Sequence, residues 1–77
     1  MARVRFFAAA EEAVGSSELT VDAATLAALT ASLRDDHPAL AEILPRCSVL
    51  VDGARVDDSW TLTDDTVVDV LPPFAGG

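Results

Sequence analysis

The sequence closes Leu71-Pro72-Pro73-Phe74-Ala75-Gly76-Gly77, and the group with the clearest bond-making chemistry is the α-carboxyl of Gly77. An α-carboxyl with an ordinary pKa of about 3.3–3.7 is ionised at neutral pH. It is a usable, weak nucleophile: attack on the α-phosphate of ATP gives an acyl-adenylate, from which a sulfur or amine donor can displace AMP. Gly76 and Gly77 have no Cβ, so they fit a slot too narrow for other dipeptides. Pro72 and Pro73 each fix φ near −65° and donate no backbone hydrogen bond, which ends a preceding strand and favours an extended exit. The four residues from Phe74 to Gly77 then reach about 13–14 Å, enough to enter another protein's active site.

Little else in the chain is equipped for chemistry. Cys47 is the only cysteine, so an internal disulfide and a CxxC site are both excluded, and it reads as a small half-buried strand residue. His37 stands alone beside Pro38 with no second histidine or cysteine near it, so no metal site is expected. There is no Walker loop, no paired catalytic carboxylate and no nucleophile with an adjacent base. No cofactor is therefore expected to be held by this chain.

The elements that must carry such a tail fit one small domain of 77 residues with an apolar fraction of 51%. No apolar run approaches the roughly 20 residues of a bilayer span. The opening Met1-Ala2-Arg3-Val4-Arg5 is interrupted by Glu11, Glu12 and Gly15 before an apolar segment develops, so a signal peptide is not expected and the reading is cytoplasmic. Five arginines, no lysine and thirteen acidic residues give a net charge of −8. That balance repels phosphate backbones and anionic lipid and points to a basic protein partner instead. Without lysine the chain offers no ε-amine on which copies of itself could be built.

The pattern predicts strand, turn, strand, helix and three further strands. Ala2 to Phe7 alternates, with Val4 and Phe6 on one face and Arg3, Arg5 and Phe7 on the other. Gly15-Ser16-Ser17 reads as a turn into a second strand, Glu18 to Val21. Thr25 is the expected N-cap of a helix with Leu26, Leu29 and Leu33 on one stripe, which must stop before Pro38. Pro38 to Leu44 suits a further short helical turn. Ser48 to Val51 is β-rich, and Asp52-Gly53 signals a hairpin to a strand at Ala54-Arg55-Val56. Thr61 to Asp65 reads as a turn before the last strand, Thr66 to Leu71. This ββαβββ order is compatible with an α+β fold of the β-grasp (ubiquitin-like) kind, a mixed sheet wrapped on one main helix. Residues 1–71 form the domain and residues 72–77 an extended tail.

Four segments add a resemblance: Arg-Phe-Phe-Ala at Arg5 to Ala8, Glu12-Ala13-Val14-Gly15, Thr25-Leu26-Ala27-Ala28-Leu29, and Pro72 to Gly77. Together they resemble the MoaD/ThiS family of ubiquitin-like sulfur carriers, on the MoaD side, over essentially the whole length. The tail is similar to that family's Pro-Pro-Val-(Ala/Ser)-Gly-Gly ending. Phe74 departs from the usual valine, which bears on its fit in a partner groove and leaves the reacting end unchanged.

The resemblance implies a mechanism. A ubiquitin-activating-enzyme-like adenylyltransferase (MoeB-like) adenylylates Gly77 with ATP, and a sulfur donor replaces AMP to leave a thiocarboxylate. The tail then enters a MoaE-like large subunit and sulfurates a cyclic pyranopterin phosphate, as in molybdopterin synthase, with a heterotetramer as the expected assembly; ATP and magnesium are then used by the activating partner. The chain is thus expected to be a non-catalytic sulfur-carrying subunit. Sulfur delivery to thiazole or cysteine synthesis, and a ubiquitin-like modifier passing Gly77 to target lysines, remain alternatives. In a β-grasp sheet the first and last strands are neighbours, so Phe7 and Leu71 are expected as exposed apolar residues beside the tail's root, with Arg55 close by on a neighbouring strand. These three, with Pro72, Pro73, Phe74 and Ala75, are the expected partner contacts, and Gly76 and Gly77 the reacting end.

Overall fold

In a computed structural model, which describes residues 1–73, alternating apolar and polar residues build a four-stranded mixed sheet. Strand β1 (Ala2–Phe6) has Ala2, Val4 and Phe6 buried and Arg3 and Arg5 exposed, the period-2 pattern of a sheet with one covered face. It pairs antiparallel with β2 (Glu18–Val21), Val4 opposite Leu19, and parallel with β4 (Val67–Leu71), Val4 opposite Val68 and Phe6 opposite Val70. Strand β3 (Ser48–Val51) closes the order β2-β1-β4-β3 by pairing antiparallel with β4.

The covered face carries three helices, α1 (Ala9–Val14), α2 (Leu26–Asp36) and α3 (Pro38–Ile43), the last running into a 3₁₀ turn at Leu44–Arg46. The hydroxyl of Thr25 accepts the amide of Ala28 at 3.2 Å, the expected N-cap. Leu26, Leu29 and Leu33 are buried on the stripe that the sequence spacing requires, and they meet Val4, Phe6, Val68 and Val70 in one core. Each fully buried side chain of that size contributes about 1.5–3 kcal/mol relative to exposure. Pro38 begins α3 at the position where a missing amide costs least.

Two local expectations are corrected. The segment before Gly15 is a helix, not part of a plain connection. Gly15 sits at φ 84° and donates to the carbonyl of Glu11 at 2.8 Å, so it is a left-handed helix cap, a conformation in which glycine carries no Cβ penalty. The strand expected at Ala54-Arg55-Val56 does not form. Asp52 and Gly53 make the tight turn that their pairing signals, with φ of 49° and 83°, and Val51 and Ala54 exchange both backbone hydrogen bonds. Pairing ends there, because the chain beyond is used elsewhere. The carbonyl of Asp58 accepts the amide of Ala27 at 2.9 Å and that of Trp60 accepts Leu26 at 3.1 Å, so this loop satisfies amides in the first turn of α2 that have no intrahelical partner.

Candidate functional site

The tail's root is set by β4. Leu71 is its last residue and stands opposite Ser48 of β3, while Phe7 follows β1 directly and its amide reaches the carbonyl of Val70 at 3.3 Å. Phe7 is 37% exposed and Leu71 half-buried, so the exposed apolar character expected of both holds fully only for Phe7. Arg55 lies near them as expected, in the loop after the Asp52-Gly53 turn instead of on a strand, and donates to the hydroxyl of Ser48 at 3.0 Å. Phe7, Leu71, Ser48 and Arg55 thus occupy one end of the sheet's uncovered face, where β4 ends.

Charge on this face is organised by register. Arg5 and Asp69 are partners across the β1–β4 ladder, and the guanidinium makes a two-pronged contact with the carboxylate, at 2.6 Å from Nε and 2.8 Å from Nη2. The hydrogen bonds to Asp69 raise the Arg5 pKa above its ordinary value. The same guanidinium carbon lies 5.8 Å from the centroid of the Phe7 ring, within range of a cation–π contact. Arg5 thus lies against both Asp69 and Phe7, an arrangement that sequence reading did not assign because the pairing with Asp69 joins residues 64 positions apart. Arg3 pairs with Glu18 at 3.0 Å on the neighbouring ladder. The N-terminal amine and Asp64 form a further exposed pair, which raises the amine's pKa and lowers that of the carboxyl.

Of the expected tail, only the prolines are among the described residues. Pro72 is buried, and Pro73 is exposed and lies in a turn. Both line a small, mostly apolar groove of about 90 Å³ together with Ala9, Ile43 and Arg46. Phe74, Ala75, Gly76 and Gly77 lie outside the described residues, so the expectations attached to them are carried by sequence.

The two isolated candidates are structural. Cys47 is half-buried, its thiol donates to the carbonyl of Ile43 at 3.3 Å, and desolvation pushes its pKa up, the opposite of what activates a thiolate. His37 ends α2, its amide reaching the carbonyl of Leu33 at 2.9 Å, and precedes α3. Among the described residues no group of three or more His, Cys, Asp or Glu side chains could hold a metal ion, and no helix is long and apolar enough to cross a membrane. Trp60, 51% exposed in the loop that caps α2, is a feature that sequence reading passed over.

A mixed sheet wrapped on a main helix, with its first and last strands parallel neighbours, defines the ubiquitin-like β-grasp class. Within that class the chain belongs to the ThiS family, whose model matches residues 4–77. No curated protein matches the chain by sequence. Among solved structures it is similar to small archaeal modifier protein 1 (SAMP1) from Methanosarcina acetivorans, with a TM-score of 0.87 at 24% identity over 99% of this chain and 95% of the other. It is also similar to the HVO 2177 protein of Haloferax volcanii, with a TM-score of 0.74 at 33% identity over 99% and 85%. A third likeness is to a chain in the complex of subunits 1 and 2 of molybdopterin-converting factor from Helicobacter pylori 26695, with a TM-score of 0.74 at 28% identity over 99% and 97%.

Proposed function

We propose that this protein is a sulfur carrier that works through the carboxylate of Gly77. The observation that supports it best is the family match, which runs through residue 77 and so includes the Gly76-Gly77 pair. In the first step a carboxylate oxygen of Gly77 attacks the α-phosphorus of ATP and pyrophosphate leaves, giving an acyl-adenylate. In the second, hydrosulfide supplied by a sulfur donor attacks the acyl carbon and AMP leaves with the bonding pair, so that a thiocarboxylate remains. ATP and magnesium sit on a MoeB-like adenylyltransferase, and this chain acts as cosubstrate without catalysing either step.

The proposed destination is a cyclic pyranopterin phosphate in the active site of a MoaE-like large subunit, which places the chain as the small subunit of a molybdopterin synthase in the cytoplasm. The likeness to the Helicobacter pylori complex supports a two-subunit assembly of that kind. Phe7, Leu71 and Arg55 are the docking contacts, and Pro72, Pro73, Phe74 and Ala75 guide Gly76 and Gly77 into the partner. The net charge of −8 favours a basic docking surface.

A second reading, a protein modifier, is favoured by one observation, the fold shared with SAMP1. Incubation with the cognate adenylyltransferase, ATP and a sulfur donor separates the two. A carrier gains one sulfur in place of oxygen at Gly77 and sulfurates the pterin when the large subunit is added. A modifier forms isopeptide adducts on lysines of other proteins, and that outcome without sulfur gain refutes the carrier.

A further inference from the structure

One hydrogen bond fixes the phase of the outer edge of the sheet at β2. The amide of Phe6 donates to the carbonyl of Ser17 at 2.9 Å, and in an antiparallel ladder such pairs recur every second residue, so Leu19 and Val21 also turn their backbone groups towards β1. Glu18 and Thr20 therefore turn theirs away from it. Arg3, opposite Thr20, agrees with that phase, since its amide donates to Thr66 at 3.0 Å on the β4 side. The two outward residues differ. The hydroxyl of Ser16 donates to the carbonyl of Glu18 at 2.9 Å and lies 3.4 Å from its amide, so both groups are engaged. The amide and carbonyl of Thr20 have no partner among the described residues. Beside Thr20, β2 and the end of α2 enclose a groove of about 290 Å³. Leu19, Val21 and Leu33 supply its apolar lining, and Asp22, Asp36 and His37 are among its polar residues. Both aspartates are exposed.

We propose that this edge and groove take a short extended segment of a basic protein partner, which adds to β2 as an antiparallel strand at Thr20. One residue of the segment exchanges both backbone hydrogen bonds with Thr20, antiparallel pairing being the more stable per residue. Side chains alternate across a strand, so the two residues flanking that one face the groove. One of them is apolar and lies on Leu19, Val21 and Leu33; the other is lysine or arginine and meets Asp22 and Asp36. Charge selects this occupant. Two exposed carboxylates on a body of net charge −8 disfavour an acidic segment, and a second copy of this lysine-free chain brings the same unfavourable charge. Ser16 sets the extent, because Glu18 is already engaged and pairing stops short of it. In the order β2-β1-β4-β3 this edge is separated by β1 from the strand that carries the tail, so the inference stands independently of the sulfur-carrier reading.

Nuclear magnetic resonance of the full labelled chain, titrated with the capped peptide acetyl-Thr-Val-Thr-Lys-Thr-amide, tests this directly. Shift changes are expected at residues 19–22 and 32–37, with the Thr20 amide slowed in hydrogen exchange at saturation. Proline in place of the peptide's central threonine removes the amide that pairs with the Thr20 carbonyl and should weaken binding by about tenfold. Glutamate in place of its lysine should weaken binding by about fivefold, and the double variant Asp22→Asn, Asp36→Asn, which alters only exposed side chains, should abolish that preference. Absence of shift changes at these residues, or equal binding by the proline peptide, overturns the proposal. So do shifts at Thr20 that grow with protein concentration in the absence of peptide, which assign the edge to a second copy of the chain.

Discussion

At the scale of single residues, the proposed function rests on Gly77, and the two side chains that superficially invite chemistry are explained by packing. Deleting Gly77 is therefore expected to abolish ATP–pyrophosphate exchange by the cognate adenylyltransferase, while Cys47→Ser leaves exchange within about twofold, since a change of 0.4 kcal/mol is about a factor of two. Normal exchange by the truncated chain would refute the role of the terminus. Cys47 makes a second prediction. Burial raises its thiol pKa in the folded state, so the unfolded chain releases that proton first. Its contribution to stability is then fully present below the ordinary thiol value of about 8.5 and is lost as pH climbs through the raised folded value. Alkylation by iodoacetamide should accordingly turn upward at higher pH in the native protein than in urea-unfolded protein. Coincident profiles, or a native profile shifted to lower pH, would contradict the burial argument.

At the scale of elements, α2 is the member that fixes the rest, because its stripe contacts the inward face of the sheet and its first turn is held by the loop around Trp60. Leu29 is fully buried against β1 and β4 residues, and Leu29→Ala is expected to cost about 2–5 kcal/mol of stability. Removing only the cap with Thr25→Ala should cost about 1 kcal/mol, because backbone acceptors at Asp58 and Trp60 remain to hold the helix start. For a chain of this size each kcal/mol moves the thermal midpoint by about 4–8 °C, so calorimetry distinguishes the two substitutions. Equal shifts would mean that α2 is secured by its end and not by its stripe.

At the scale of the whole molecule, the uncovered sheet face presents Phe7, Leu71 and Arg55 beside the root of the tail, on a body of net charge −8. Phe7→Asp is expected to weaken association with both the adenylyltransferase and the large subunit by tenfold or more, about 1.4 kcal/mol, while the fold is retained. Titration calorimetry alongside thermal melting reads both quantities, and unchanged binding by a folded variant would remove this face from the docking surface. Association should also slow with added salt, since steering by exposed charges is screened beyond a Debye length of about 8 Å at physiological ionic strength. A rate indifferent to salt would argue that the acidic surface serves solubility alone.

The sequence by itself determined what repeats at short range. Alternation in Ala2 to Phe6 and the leucine spacing in Leu26 to Leu33 state which face each element buries, and the structure places Val4, Phe6, Leu29, Val68 and Val70 together as those patterns require. Four strands and the main helix of the expected ββαβββ order, the Thr25 cap and the Asp52-Gly53 turn were legible for the same reason, and the tail's chemistry needs no tertiary context to be named. What only the tertiary structure decided are matters of partnership between distant segments. Helix α1 is six residues long, too short for a period of 3.6 to declare itself, and only the left-handed cap at Gly15 and the first-turn acids Glu11 and Glu12 marked it. Ala54 to Val56 carries strand-like residues, yet the chain beyond Val56 is committed to the amides of α2, a competition that no local propensity records. The pairing of Arg5 with Asp69 exists because β1 and β4 lie parallel in one register. The burial of Pro72 beside Ala9 and Ile43 is likewise a contact between segments far apart in sequence.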